Sequence, residues 1–185
     1  SSIMFIVIIF ILFFSIFQTC LSDEINLYTT RHYEADYEIY KKFKNKTGIK
    51  VNVVSGKSKP IEKRIIEEGK KCKGDLFFLA DAGRLYSAEK KDLFQKIKSS
   101  SLIKNIPSHL RNDYWYGITK RARIVFYNPE HVNLEKIKNL NYEDLGDKEW
   151  KNSIAIRQSN NVYNQSLVAS LLHNLGEKRT SEWLE

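Results

Sequence analysis

The chain has 185 residues and a formal net charge of +8, and all of its charged side chains follow the first 22 residues. It contains two cysteines, one of them Cys20 in the uncharged start, which excludes a fold stapled by internal disulfides. The basic balance is typical of proteins that meet nucleic acid, an anionic surface or an anionic ligand, and of a solvated lysine-rich surface.

The uncharged start contains the apolar run IMFIVIIFILFFSIF. A membrane-spanning helix needs about 20 apolar residues, so this run predicts a secretory signal peptide over residues 1–22, cleaved after Ser22. Export predicts a periplasmic protein and argues against a nucleic-acid partner. Two alternatives stay open. An uncleaved anchor helix would tether a sensory domain to the membrane, and a lipid anchor on Cys20 is disfavoured because Thr19 precedes it.

Strands alternate with helices after the signal segment. Apolar periodicity predicts a strand at 24–29, a helix at 34–47 that Gly48 ends, a strand at 49–54, a helix that begins at Pro60, and a strand at 75–80 buried on both faces. Such alternation predicts βαβ units around a parallel sheet, which is an α/β fold.

The second half reads as a crossover followed by part of another lobe. Residues 114–130 alternate aromatic and aliphatic side chains and predict a strand, a hinge and a second strand. A further strand is predicted at 153–157, followed by a helix with a leucine-rich stripe that Gly176 ends. We therefore expect a first lobe over residues 23–120 and a crossover with a partial second lobe over 121–185.

Two tyrosines stand where predicted strands give way to helices. Tyr33 follows the first strand, and Tyr163 follows the strand at 153–157. Ligands bind at this edge of open α/β sheets, and a helix N-terminus favours a negative group such as a phenolate. A phenolate is a hard oxygen ligand that suits Fe(III). The alternative is that the two tyrosines only line the wall of a site, because in a chain with 10 tyrosines some will lie at strand ends without binding a metal.

Other residues point to binding rather than to catalysis. The chain has no GxSxG, HExxH, GxxxxGK[ST] or GxGxxG motif, so we do not expect an enzyme. Arg121 and Arg123, at the predicted hinge, could hold an anion or a small organic solute, or face solvent. Asp81, after the apolar strand, could be a cleft carboxylate or the N-cap of the next helix.

The segments that carry these residues also resemble a known family in order along the chain. The blocks TTRHYEADYEIYKKFKNKTGIKVNVV, DLFFLADAGRLYSAEKKDLFQ, GITKRARIVFYNPEHVN, YEDLGDKEWKNSIAIR and NVYNQSLVASLL are similar to blocks of periplasmic ferric-iron-binding proteins. These are the solute-binding components of Fe(III) ABC importers.

The resemblance implies a transferrin-like, two-lobed clamshell of the type II periplasmic-binding-protein class, with Fe(III) in the interlobe cleft. It implies that Tyr33 and Tyr163 are iron ligands and that His32 is a ligand in some members. Arg123, with Arg121 beside it, would supply a positive charge next to the iron site. Whether an anion binds together with the iron stays open. Arg31 receives no role.

The resemblance also implies how such a protein works and how much of it is present. It would act as a monomer that captures iron and delivers it to an ABC permease. Members of the family carry a pair of adjacent tyrosines further along, which this sequence does not reach. We therefore expect the chain to be a fragment that contains part of the iron site.

Overall fold

The computed structural model describes residues 23–185. The predicted signal peptide, its cleavage after Ser22 and the alternatives at Cys20 all lie outside the described residues. The described part has three strands, β1 (Glu24–Thr29), β2 (Lys50–Ser55) and β3 (Leu76–Phe78), and six α-helices, α1 (Glu34–Thr47), α2 (Ser58–Glu68), α3 (Ala82–Lys90), α4 (Ser100–Asn105), α5 (Leu134–Ile137) and α6 (Val162–Leu184).

Short 3₁₀ turns complete the described elements, at Gly69–Lys71, Ser108–Leu110, Glu143–Gly146 and Lys148–Trp150. In residues 23–185 no helix is both long enough and apolar enough to cross a membrane. The chain divides into two compact units, one ending at Leu79 and the other spanning Ala80–Glu185. The lobe boundary that the sequence predicts at residue 120 stays a prediction.

The first unit is built on a parallel sheet with strand order β2-β1-β3, as the alternation of elements predicts. β1 lies in the centre, and its carboxyl-terminal residues Leu27, Tyr28 and Thr29 are buried. The side chain of Tyr28 keeps its polar end satisfied because the hydroxyl donates to Glu68 at 2.9 Å. Because β1 is held between two neighbouring strands, the sheet fixes where the chain emerges after Thr29.

The helix after β1 has the bounds that its sequence predicts. α1 begins after Tyr33, carries Glu34 and Asp36 in its first turn, and has basic residues in its last turn. This charge order complements the helix dipole. Gly48 adopts φ 76, a left-handed conformation that glycine tolerates, and its N–H donates to the Lys44 carbonyl.

Two predictions in the first unit are wrong in detail. The apolar run at 75–80 forms only β3, at the edge of the sheet, and Leu76 is 53% exposed. It is not a strand buried on both faces, because its three residues are exposed or half-buried. The helix predicted to begin at Pro60 begins at Ser58 instead. Proline is compatible with this first turn, where backbone N–H groups lack intrahelical partners.

The second unit differs more from its prediction. The strands predicted within 114–130 and at 153–157 are absent, apart from an isolated antiparallel bridge between Arg111 and Tyr116. A strand needs a hydrogen-bonded neighbour, and no described residue pairs with either segment in a ladder. From Ile118 onward the apolar side chains of these segments are accordingly exposed, among them Phe126 at 86%.

The leucine-rich stripe does form one face of α6, and Leu167 and Leu171 are buried there. Gly176 interrupts the helix with φ 80 and ψ 171, so the predicted stop is a break followed by a further helical segment. Thr180, in that segment, is buried and donates its hydroxyl to the Gly176 carbonyl.

Candidate functional site

Tyr33 lies at the N-cap of α1, where the first unit passes from strand to helix. Its backbone is extended, with φ −83 and ψ 136, and its carbonyl accepts from Asp36 N at 3.0 Å. The phenol ring is 45% exposed and stacks on the imidazole of His32, with ring centroids 5.4 Å apart. The predicted ligands His32 and Tyr33 therefore form one exposed aromatic pair.

Arg31 holds the base of this turn, although neither its sequence pattern nor the family resemblance assigned it a role. Its Nε and Nη2 donate to the two carboxylate oxygens of Asp36 at 2.9 and 2.8 Å. The guanidinium lies between two rings, 5.0 Å from the Tyr33 centroid and 4.6 Å from that of Phe78. The hydrogen bonds from Arg31 to Asp36 raise the pKa of the guanidinium, so the group beside Tyr33 is a permanent cation.

The end of β1 ties this turn to the sheet. Thr29 donates its hydroxyl to the Phe78 carbonyl and accepts from Arg31 N, each at 3.0 Å. Thr30 N donates to the same carbonyl at 3.1 Å. Backbone and side chain together therefore hold the segment that precedes Tyr33.

Tyr163 lies in the first turn of α6, in the second unit. Asn161 is the N-cap, and its side-chain oxygen accepts from Tyr163 N at 3.0 Å. The guanidinium of Arg157 lies over the Tyr163 ring at 5.5 Å, and the Arg157 carbonyl accepts from Asn164 Nδ2 at 2.6 Å. The loop before α6 is thus bound to its first turn.

The predicted arginines behave differently from each other. Arg123 donates from Nη2 to the Tyr163 carbonyl at 2.9 Å, so the structure brings this residue to one of the predicted tyrosines. Arg121 is exposed.

Asp81 is the N-cap of α3, which is the second of the two readings its sequence allows. Its Oδ1 accepts from Gly83 N at 2.8 Å. The carboxylate also accepts from the hydroxyl of Ser166, in α6.

Sequence reasoning singled out the two tyrosines and Arg123, but it missed other groups that hold the two turns. Asp36, Arg157 and Ser166 carry no motif, since each acts through a contact that only folding creates. The signal that was available is Asp36 in the first helical turn after Tyr33, where a carboxylate meets a neighbouring cation most easily. Tyr33 and Tyr163 belong to different units.

Within residues 23–185, no group of three or more histidine, cysteine, aspartate or glutamate side chains is placed to hold a metal ion. The predicted ligand set is of a different kind, because it depends on phenolate oxygens. Hard anionic oxygens are chemically suited to a hard trivalent cation.

Residues 74–185 match the family model of bacterial extracellular solute-binding proteins, and the chain belongs to that family. Individual relatives carry more specific names than the family does. Over 163 residues the chain is 45% identical to iron uptake protein A1 of Synechocystis, a match that covers 87% of this chain and 45% of that protein.

Solved structures give the same picture. The chain superimposes with a TM-score of 0.81 and 42% identity on a Trichodesmium protein in complex with iron and citrate, covering 87% of this chain and 51% of the other. A ferric binding protein from Campylobacter jejuni follows with a TM-score of 0.77 and 41% identity, covering 86% and 51%. The fold is therefore the mixed α/β fold of the two-lobed solute-binding proteins, and this chain spans about half the length of the relatives it matches.

Proposed function

We propose that the natural protein binds Fe(III) through the phenolates of Tyr33 and Tyr163 and delivers it to an ABC permease. The observation that carries the proposal is the similarity over 87% of the chain to a structure solved with iron and citrate. The settings of the two tyrosines support the assignment of ligands, since each lies at the start of a helix with an arginine over its ring.

The chemistry of the cargo explains why tyrosines suit this task. Fe(III) is a hard cation, and each phenolate brings one negative charge and an oxygen donor. Arg31 and Arg157 place a positive charge over each of the two tyrosine rings. His32, stacked on Tyr33, is our proposed further ligand from the same turn.

Arg123 and Arg121 are proposed to supply charge next to the iron site rather than to bind the metal. Arg123 holds the Tyr163 carbonyl, which leaves the rest of its exposed guanidinium to face a small anion. A carboxylate or carbonate anion bound with the iron would meet this charge. The citrate in the Trichodesmium structure is consistent with such an anion in a relative.

The mechanism we propose is capture and release, with no covalent bond made or broken in the protein. Each ligand tyrosine gives up its phenolic proton as its oxygen enters the coordination shell of the metal and displaces water. The protein acts as a monomer in the periplasm, and its partner is the permease. Family membership supports this role in transport over a catalytic one.

The decisive test adds Fe(III) as its citrate complex to the natural full-length protein. We expect a visible tyrosinate-to-iron charge-transfer band, which weakens in Tyr33→Phe and in Tyr163→Phe. Iron affinity should fall by at least about 100-fold in each, because even residues outside the coordination shell cost about 10–100-fold.

Matched controls are available in each unit. Tyr37 is 48% exposed, close to Tyr33, and Tyr86 is an exposed tyrosine of the second unit. Tyr37→Phe and Tyr86→Phe should leave band and affinity unchanged. A protein that gives no band with Fe(III), but binds an organic acid through Arg121 and Arg123, would replace the iron proposal with the solute alternative.

A further inference from the structure

Asp81 joins the start of α3 to the second turn of α6 in the second unit. Its carboxylate oxygens accept from Ser166 Oγ at 2.9 and 3.0 Å, across a sequence separation of 85 residues. The same carboxylate accepts from Gly83 N at 2.8 Å. One side chain therefore caps α3 and holds α6.

The backbone of Asp81 is strained, and capping does not explain the strain. Asp81 has φ 81 and ψ 128, a region that costs a non-glycine residue about 1–3 kcal/mol. The other described side-chain caps, Ser99, Asn133 and Asn161, have φ between −138 and −75. What Asp81 has in addition to these caps is the bond to Ser166.

Gly83 lies where the start of α3 meets α6. A Cβ at this position would lie 3.0 Å from Asp81 Oδ1, 3.6 Å from Ser166 Oγ and 3.7 Å from Val162 Cγ2. The first turn of α6 thus packs against a backbone surface that has no side chain. The tight neighbour of such a Cβ would be Asp81 Oδ1, the oxygen that accepts from both Gly83 N and Ser166 Oγ.

Ser166 lies on the face of α6 that also carries Tyr163, one turn away, because residues three apart share a face. We propose that Asp81 and Ser166, the Asp81–Ser166 latch, position Tyr163 as an iron ligand. The inference rests on the proposed function. Asp81 acts through Ser166, so it is a positioning residue and does not touch the metal.

The latch is tested with Ser166→Ala in the natural full-length protein loaded with Fe(III). We expect a shifted charge-transfer maximum and iron release to a chelator that is about tenfold faster, the order of one lost hydrogen bond to a charged group. Ser166→Thr keeps the hydroxyl and should restore both. The matched control is Ser170→Ala, one turn further along α6, where the hydroxyl accepts from Asn174 on an exposed surface.

Gly83→Ala provides a second variant, since its methyl group would press on the same contact. It should shift the band and speed release in the same direction as Ser166→Ala. Thermal unfolding of the iron-free proteins separates positioning from stability. If both variants unfold earlier but keep the wild-type band and release rate, the latch is purely structural and the inference is wrong.

The two proposals fail in different ways. A wild-type band that Ser166→Ala leaves unchanged overturns the latch and leaves the iron proposal standing. Absence of the band in the unaltered protein overturns both.

Discussion

The turns that carry Tyr33 and Tyr163 reach the same arrangement by different means. In the first unit, the Tyr33 turn is held by Arg31 and Asp36, which lie five residues apart in sequence. In the second unit, the Tyr163 turn is held by Arg123 and through Ser166, with partners 40 and 85 residues apart. The ion pair at the Tyr33 turn is therefore local, although Thr29 also bonds to the distant Phe78 carbonyl. The Tyr163 turn adds two long-range side-chain contacts to its local cap at Asn161.

The two turns also differ in the kind of interaction that holds them. Arg31 and Asp36 form a bidentate ion pair whose side chains are only 12% and 7% exposed. The Tyr163 turn depends on an amide cap and on hydrogen bonds at partly exposed groups. A buried ion pair is costly to break, whereas each hydrogen bond contributes about 1 kcal/mol, so the two turns should respond differently to substitution.

The largest effect is expected at Arg31. Arg31→Met leaves the buried carboxylate of Asp36 without its cation, and we expect the free energy of unfolding to fall by about 3 kcal/mol. Denaturant unfolding monitored by far-UV circular dichroism measures the loss. The double variant Arg31→Met/Asp36→Leu should recover most of it, because it removes the unpaired charge.

The matched control for Arg31 is Arg64, in the same unit. Arg64 also lies 5.0 Å from a tyrosine ring, that of Tyr28, but its ion pair with Glu68 is more exposed, at 49% and 25%. Arg64→Met should cost much less stability than Arg31→Met, because solvent screens the more exposed pair. If Arg31→Met and Arg64→Met lost the same free energy of unfolding, burial would not explain the greater importance of the Arg31–Asp36 pair.

A smaller effect is expected at the cap of the Tyr163 turn. Asn161→Ala removes the acceptor of Tyr163 N, and loss of such a cap costs about 1 kcal/mol. Amide hydrogen exchange at Tyr163 should become faster. Asn174→Ala, in the exposed middle of the same helix, should leave stability unchanged or raise it slightly, since alanine is the better helix former. If Asn161→Ala and Asn174→Ala lost the same stability, the Asn161 cap would not be what stabilises the start of the helix.

The smallest expected effect is on the pH dependence of stability. It concerns the more exposed Arg64–Glu68 pair, which is the reference for the Arg31–Asp36 pair. Hydrogen bonding from Arg64 lowers the pKa of Glu68 from its ordinary 4.5 to about 2. Because the folded-state pKa is the lower one, the carboxylate contributes stability above pH 4.5 and loses it as the pH falls toward 2.

Glu68→Gln removes this contribution. The difference in stability between the wild type and Glu68→Gln should therefore be greatest near neutral pH and shrink between pH 4.5 and about 2. Urea unfolding over that pH range measures it. A difference that stays constant with pH would mean that the role of Glu68 is packing and not charge.

The first unit shows how far sequence alone reaches. The bounds of β1 and α1, and the stop at Gly48, follow from apolar spacing, the dipole-compatible charges of the first and last turns, and a glycine that accepts a left-handed conformation. All of these are properties of neighbouring residues. Tyr33 at a strand-to-helix turn was predictable for the same reason, and so was the leucine-rich face of α6.

Tertiary structure decided the rest. An apolar run does not reveal whether it will be a central or an edge strand, and β3 became an edge because β1 holds the centre. The alternation of residues in 114–130 is typical of a strand. A strand also needs a neighbouring strand to pair with, and no described residue forms a ladder with this segment. The strain at Asp81 and its bond to Ser166 depend on two helices meeting across 85 residues. Local interactions can be read from the sequence because the chain itself fixes the distance between neighbours, whereas distant partners are chosen only by packing.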